Sequence, residues 1–230
     1  MTAIRGVLFD KDGTLFDFEE TWRGWAASML TDLAAGDAAR AAALGARIGF
    51  DMERRNFDPA STVIAGTPDE IVQLLAPGVP ELTEAELIER LNDAAALAPQ
   101  VEAAPLGPLL SRLRAAGLKL GVATNDAEAP ARAHLAAAGQ EDAFDFIAGY
   151  DSGHGGKPAP GMCLAFAAAV DLPPNAVVMV GDSTHDLLAG RAAGMRCVAV
   201  LTGMAPATEL APLADAVLPD IGHLPDWLRL

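Results

Sequence analysis

Residues 4–15 read Ile4-Arg5-Gly6-Val7-Leu8-Phe9-Asp10-Lys11-Asp12-Gly13-Thr14-Leu15. The apolar run Val7-Leu8-Phe9 has the character of a buried strand. It stops at Asp10, and Asp12-Gly13-Thr14 follows at once with turn chemistry. Two carboxylates and a hydroxyl therefore stand just past the carboxyl end of a strand. Open α/β sheets bind ligands in the crevice at that edge. A carboxylate there can act as a covalent nucleophile, a proton carrier or a hard-metal ligand. Asp-Lys-Asp-Gly is also ordinary turn composition, so partner residues elsewhere must decide between a solvated turn and a site.

Downstream, the pattern turns helical. Trp22, Trp25, Met29, Leu30 and Leu33 recur at helical spacing over about 19–35, and their expected role is packing. Residues 37–48 are Ala-rich and helix-permissive, and 50–65 read as irregular. Thr67-Pro68-Asp69-Glu70 and Thr83-Glu84-Ala85-Glu86 both carry the start signature of a helix, a Thr cap with Glu three residues on. Residues 17–97 are therefore expected to form an all-helical insertion. From Pro105 the rhythm becomes alternating helix and strand, with strands near 118–123, 144–148, 176–180, 197–201 and 216–218. Such alternation predicts an α/β Rossmann-like, doubly wound parallel sheet with right-handed crossovers. The expected division is a core of 1–16 and 98–230 with a helical domain of 17–97 inserted after the first strand.

Further polar clusters fall at or just beyond strand ends. Thr124-Asn125 follows one strand and Gly181-Asp182 another, while Lys157 sits in the Gly-rich loop after a third. Parallel strands put all of these on the edge that carries Asp10. A hydroxyl and an amide can donate to phosphate oxygens, and an ammonium can neutralise a carboxylate and an incoming phosphate. Asp182 would complete an oxygen-rich site suited to Mg²⁺. Asp186, one helical turn on, both fits a Ser183-x-x-Asp186 cap and can anchor the site from behind. His134, His154 and His185 form no ligand pair by spacing and are read as non-catalytic.

Composition narrows the partners. The 230 residues carry a formal charge of −15, and 51% are apolar. A sizeable core can be buried, whereas a nucleic acid or an acidic membrane face is disfavoured as a partner. Cys163 and Cys197, the two cysteines, lie in apolar surroundings and suggest buried thiols in a reducing compartment. No apolar run reaches the length of a membrane span, and no signal-peptide core precedes Asp10. The expectation is a cytoplasmic protein, monomeric or homodimeric, acting on a small metabolite.

Taken in order, Asp10-Lys-Asp-Gly-Thr-Leu, Thr124-Asn125, Lys157-Pro158 and Gly181-Asp-Ser-Thr-His-Asp186 resemble the motif series of the haloacid dehalogenase-like hydrolase superfamily. Residues 17–97 look like its C1-type cap. The resemblance implies that Asp10 attacks phosphorus and that Asp12 is the general acid and base. It implies Mg²⁺ held by Asp10, the main-chain carbonyl of Asp12 and Asp182. Thr124, Asn125 and Lys157 would bind phosphoryl oxygens, and Asp186 would orient Lys157 or the metal shell. A carboxylate at position 12 argues against dehalogenation. Lys11 is similar to the Asp-Lys-Thr-Gly-Thr motif of P-type ATPases, whose membrane spans are missing here. The lack of Lys between Leu15 and Gln100 argues against a Schiff-base phosphonate hydrolase. The implied activity is hydrolysis of a small phosphomonoester, phosphoglycolate-like or a sugar phosphate. A β-phosphoglucomutase-type mutase and a non-catalytic binding protein are the alternatives. Arg23, Arg47, Arg54 and Arg55 are positive charges of the cap that would meet a substrate carboxylate or second phosphate, with Arg23 and Arg54 foremost.

Overall fold

The computed structural model describes residues 3–230. Strand β1, Gly6–Phe9, is buried along its whole length. The chain then leaves the sheet for a helical insertion. Helix α1 (Phe18–Leu33) starts at Asp17, whose carboxylate accepts from the Glu20 N–H at 3.0 Å. Helix α2 (Ala38–Arg47) follows, capped by Asp37. Helices α3 (Pro68–Leu75) and α4 (Glu84–Ala96) both begin with complete capping boxes, Thr67 with Glu70 and Thr83 with Glu86. Each reciprocal pair satisfies two main-chain donors that a helix start leaves free.

Between α2 and α3 the insertion departs from the all-helical expectation. Strands β2 (Phe50–Asp51) and β3 (Asn56–Phe57) pair antiparallel in a small hairpin. Two residues per strand are too few to show a period of two, so the segment reads as irregular. The pairing is held by Phe50 against Phe57, ring centroids 4.8 Å apart, with Phe57 also against Phe18 at 5.7 Å. The insertion buries its own cluster, centred on Trp22, Trp25, Leu30, Phe50, Leu75 and Leu87.

The returning chain builds the rest of the sheet. It forms α5 (Leu106–Ala115), β4 (Lys119–Ala123), α6 (Glu128–Ala137), β5 (Phe146–Ala148), α7 (Gly161–Ala169) and β6 (Val177–Gly181). It continues through α8 (Thr184–Ala192), β7 (Arg196–Val200), α9 (Ala207–Leu210), β8 (Ala216–Leu218) and α10 (Leu224–Leu228). The six strands are parallel, in the order β5-β4-β1-β6-β7-β8. Strand alternation sends Val7 and Phe9 to one face, where the leucines of α5 and Leu224 of α10 cover them. Leu8 faces the other side, under Met162, Cys163 and Phe166 of α7 and Leu187 of α8. Both faces of the sheet are therefore dry, as parallel strands require.

Two features place the site. Phe9 is in register with Val122 of β4 and Val180 of β6, so the residues after these three strands emerge side by side. The chain also enters and leaves the insertion as a hydrogen-bonded pair of segments. Asp17 N–H donates to Val101 O at 2.8 Å, and Ala103 N–H donates to Leu15 O at 2.9 Å. The insertion thus hangs directly over the strand ends. Among the described residues, no helix is long and apolar enough to cross a membrane.

Candidate active site

Asp10, Thr124 and Asp182 follow β1, β4 and β6, and all three are buried. Lys157 arrives from the loop after β5. Its Nζ donates to Asp10 Oδ1 at 2.5 Å and to Asp186 Oδ1 at 2.6 Å. Asp186 meanwhile accepts at Oδ2 from the Ser183 N–H and hydroxyl, at 3.0 and 2.7 Å, as the third helical residue of a capping box. One carboxylate therefore both starts α8 and fixes the lysine. Asp10, Asp182 and Asp186 each present an oxygen, all within 4.8 Å of one another.

Asp182 is seated by the absence of two side chains. Gly13 has φ +81, which only glycine adopts without strain, and a Cβ there would stand 2.4 Å from Asp182 Oδ2. A Cβ on Gly203 would stand 1.7 Å from the same oxygen. Thr14 Oγ1 donates to Asp182 Oδ1 at 3.1 Å.

The electrostatics of this group are unbalanced. Burial pushes the Asp10 carboxyl up to about 7; Lys157 pulls it down, while Asp186 and Asp12 push it further up. Burial, with the charges of Asp10 and Asp186, raises Asp182 well above the carboxylate range. Lys157 stays charged. Burial works to lower it, but Asp10 and Asp186 outweigh that and raise it. Three buried carboxylates facing one ammonium fit a divalent cation, and an all-oxygen donor set suits a hard one.

A second buried network holds Asp12. Lys11, fully buried, lies 2.8 Å from the Asp12 carboxylate, 3.1 Å from Asp126 Oδ2 and 2.9 Å from His134 Nδ1. Trp22 of α1 donates its indole N–H to Asp12 Oδ1 at 2.9 Å. On the far side of the imidazole, His134 Nε2 lies 2.7 Å from Ala95 O, in α4. Burial, then the nearby Lys11 charge, pushes the imidazole down to about 4, so the ring is neutral. With Ala95 O beside Nε2, the proton sits on Nε2 and Nδ1 accepts from Lys11. Lys11, Asp126 and His134 were outside the residues expected to matter. Lys11 offered the one signal, as a cation wedged between the two aspartates.

Other expected residues divide. Thr124 lines the cleft, and its Oγ1 accepts from the Asp126 N–H at 3.0 Å, which leaves the O–H to donate. Asn125 lines the cleft as well, but its side-chain amide is turned to main-chain partners. Its Nδ2 donates to Ala65 O at 2.7 Å and to Lys157 O at 2.9 Å, and its Oδ1 accepts from the Lys157 N–H at 2.7 Å. Both amide hydrogens are used, so Asn125 ties the Lys157 loop to the insertion. The arginines depart further from expectation. Arg23 is half-exposed and paired with Glu19, and Arg54 is 80% exposed beside Asp51. Neither lines the cleft. Each sits on an outward helix or turn surface, where a long hydrated cation is most stable.

Comparison with known proteins agrees with this architecture. A family model described as haloacid dehalogenase-like hydrolase matches residues 4–194, most of the chain and every group named above except Gly203. This chain belongs to the haloacid dehalogenase-like hydrolases. Among relatives of this hydrolase, a phosphoglycolate phosphatase of Nitrosospira multiformis is 30% identical over 219 residues, 95% of this chain and 92% of that protein. A phosphoglycolate phosphatase of Rhodospirillum rubrum is 37% identical over 122 residues, and the match spans only half of that protein, 50%, and 52% of this chain. The crystal structure of CbbY from Rhodobacter sphaeroides, in complex with phosphate, has a TM-score of 0.74 at 24% identity, covering 99% of this hydrolase and 100% of that chain. At that identity the likeness is one of fold.

Proposed function

We propose that this hydrolase is a Mg²⁺-dependent phosphatase that cleaves a small phosphomonoester through an aspartyl phosphate on Asp10. The observation that carries the reading is the Asp10–Lys157–Asp186 chain of contacts at 2.5 and 2.6 Å, set beside Asp182 at adjoining strand ends. Phosphoryl transfer demands positioning and charge stabilisation above all, and this arrangement supplies both. The sequence likeness to phosphoglycolate phosphatases supports the same reaction class. We assign residues 1–16 and 98–230 to a catalytic core and 17–97 to a cap over it. Both cysteines are free and buried, which suits a reducing cytoplasm.

Asp10 attacks phosphorus as a carboxylate, and the bond from phosphorus to the alkoxy oxygen breaks. Asp12 gives its proton to that oxygen, and the alcohol leaves. Asp12, now a carboxylate, takes a proton from water as the water oxygen attacks the same phosphorus. The bond to Asp10 breaks, which returns the free carboxylate and releases inorganic phosphate. Lys157 keeps Asp10 oriented and opposes phosphoryl charge, and Thr124 donates its O–H to a phosphoryl oxygen. Asp10, Asp182 and the main-chain carbonyl of Asp12 are the groups that would hold Mg²⁺, with Asp186 behind them. Neutralisation of the phosphoryl oxygens is the chemistry the ion supplies when bound.

The test is phosphate release from a phosphomonoester panel by the wild type, with Mg²⁺ and with EDTA, and by Asp10→Asn. Release by the wild type with Mg²⁺, and its loss with EDTA and in the variant, is expected. An Asp10→Asn protein that works at the wild-type rate would sink the nucleophile assignment, and indifference to EDTA would sink the metal.

A further inference from the structure

The two oxygens of Asp12 have unequal surroundings. Lys11 Nζ lies 2.8 Å from each of them, so the ammonium does not tell them apart. Trp22 does, because its indole N–H donates to Oδ1 at 2.9 Å. An indole nitrogen can only donate, as can an ammonium. Oδ1 is therefore committed as an acceptor of two donors, and Oδ2 is the oxygen left to exchange a proton with the substrate. The terminal torsion of an Asp side chain is soft. A half-turn of the carboxyl would swap its oxygens without loss to Lys11, and the indole bond opposes that turn.

The donor comes from the other side of the cleft. Asp12 stands in the turn after β1, whereas Trp22 belongs to α1 of the insertion, and both line the cleft. Packing fixes the direction of the Trp22 N–H. The ring is buried, meets Trp25 edge-on with centroids 5.0 Å apart, and has the Lys11 ammonium 5.4 Å from its centroid.

A second tie runs from α4. His134 lies 2.7 Å from Ala95 O through Nε2 and 2.9 Å from Lys11 through Nδ1. Two helices of the insertion thus bear on Asp12, α1 directly and α4 through the lysine that neutralises it.

We propose that Trp22 is a positioning residue for proton transfer: its N–H holds Asp12 Oδ1 and keeps Oδ2 for the leaving oxygen, so Asp12 serves as the acid only with α1 seated on the core. This rests on the phosphomonoesterase reading above. It separates substrates by leaving group. An alcohol that cannot leave without a proton depends on Trp22, and a phenol that leaves as its stable anion does not.

The experiment measures kcat/KM, with Mg²⁺, for benzyl phosphate and 4-nitrophenyl phosphate, two esters of similar size. This parameter covers the steps through release of the alcohol, before Asp12 acts as a base. The readout is the benzyl to nitrophenyl ratio within one protein, so a reduced folded fraction cancels. Trp22→Phe keeps an aromatic face for Lys11 and removes the donor. It should lower the ratio about tenfold, as loss of a hydrogen bond to a charged group does. Asp12→Asn removes the acid and should lower it further, by about a hundredfold or more. Trp25→Phe alters the same ring pair, but the N–H it removes has no partner among the described residues, and the ratio should stay at the wild-type value. If Trp22→Phe yields no folded protein, Trp22→Met, whose flexible side chain can fill the space, should show the same fall. A ratio that holds in the Trp22 variant while it falls in Asp12→Asn would overturn this inference and leave the phosphatase reading standing. An equal fall in Trp25→Phe would also overturn it, since packing alone would then account for the effect. A ratio unmoved in Asp12→Asn would remove the acid assignment of the reading above, and this inference with it.

Discussion

Replacing Lys11 by Met keeps the length and apolar stem of the side chain and removes its charge. In the native protein the ammonium is fully buried, 2.8 Å from the Asp12 carboxylate and 3.1 Å from Asp126. The change leaves Asp126, whose carboxyl burial already raises, and Asp12 without their shared cation. Removing one partner of a buried ion pair costs about 3–5 kcal/mol. That is a large part of the roughly 5–15 kcal/mol that holds a typical domain folded. With a urea slope of about 2 kcal/mol/M, the midpoint should fall by roughly 1.5–2.5 M. Urea denaturation of the wild type, Lys11→Met, Asp126→Asn and the double variant gives the assay. The double variant should be more stable than the sum of the single losses predicts, by about 1–3 kcal/mol, because neutral Asn needs no counter-charge. A single-variant loss under about 1 kcal/mol, or strict additivity, would refute the claim that Lys11 holds this network together.

Two further outcomes follow from the geometry. Gly13→Ala places a methyl 2.4 Å from Asp182 Oδ2 at a φ of +81; it should lower stability by about 1–3 kcal/mol and weaken Mg²⁺ binding, both readable by thermal melts with and without the ion. The His134 imidazole has a folded pKa near 4 against an ordinary 6.5, so between these values the unfolded chain holds more protons than the native one. Its contribution to stability is therefore complete above pH 6.5 and is lost as the pH falls toward 4, by up to about 3 kcal/mol; denaturation of wild type and His134→Gln across that range should show a shallower slope in the variant.

Much of this was legible in the sequence for a physical reason. Asp10, Thr124 and Asp182 each end an apolar run, and parallel pairing of β1 with β4 and β6 must bring such ends together. Thr67, Thr83 and Ser183 cap their helices through residues three positions on, an interaction local enough to read directly. Contacts between distant segments were not legible. Lys11 meets Asp126 and His134 more than a hundred positions away, and no spacing rule connects them. Asn125 has the right chemistry for a phosphate, yet main-chain carbonyls of Ala65 and Lys157 take its hydrogens. Arg23 and Arg54 show the same limit, since residue type reveals the charge and not the direction in which it projects. The β2–β3 hairpin is held by aromatic packing, and its strands are too short to leave a pattern.

The central claim is that Asp10 carries the phosphoryl group in transit. It is tested most directly by acid-quenching the hydrolase during turnover of a phosphomonoester with Mg²⁺ and measuring the mass of the peptide that contains residue 10. The account predicts a fraction of that peptide heavier by one phosphoryl group, labile to hydroxylamine, with no such species in Asp10→Asn. Sustained turnover with the peptide unmodified at every quench time, or the added mass on a different residue, would contradict it.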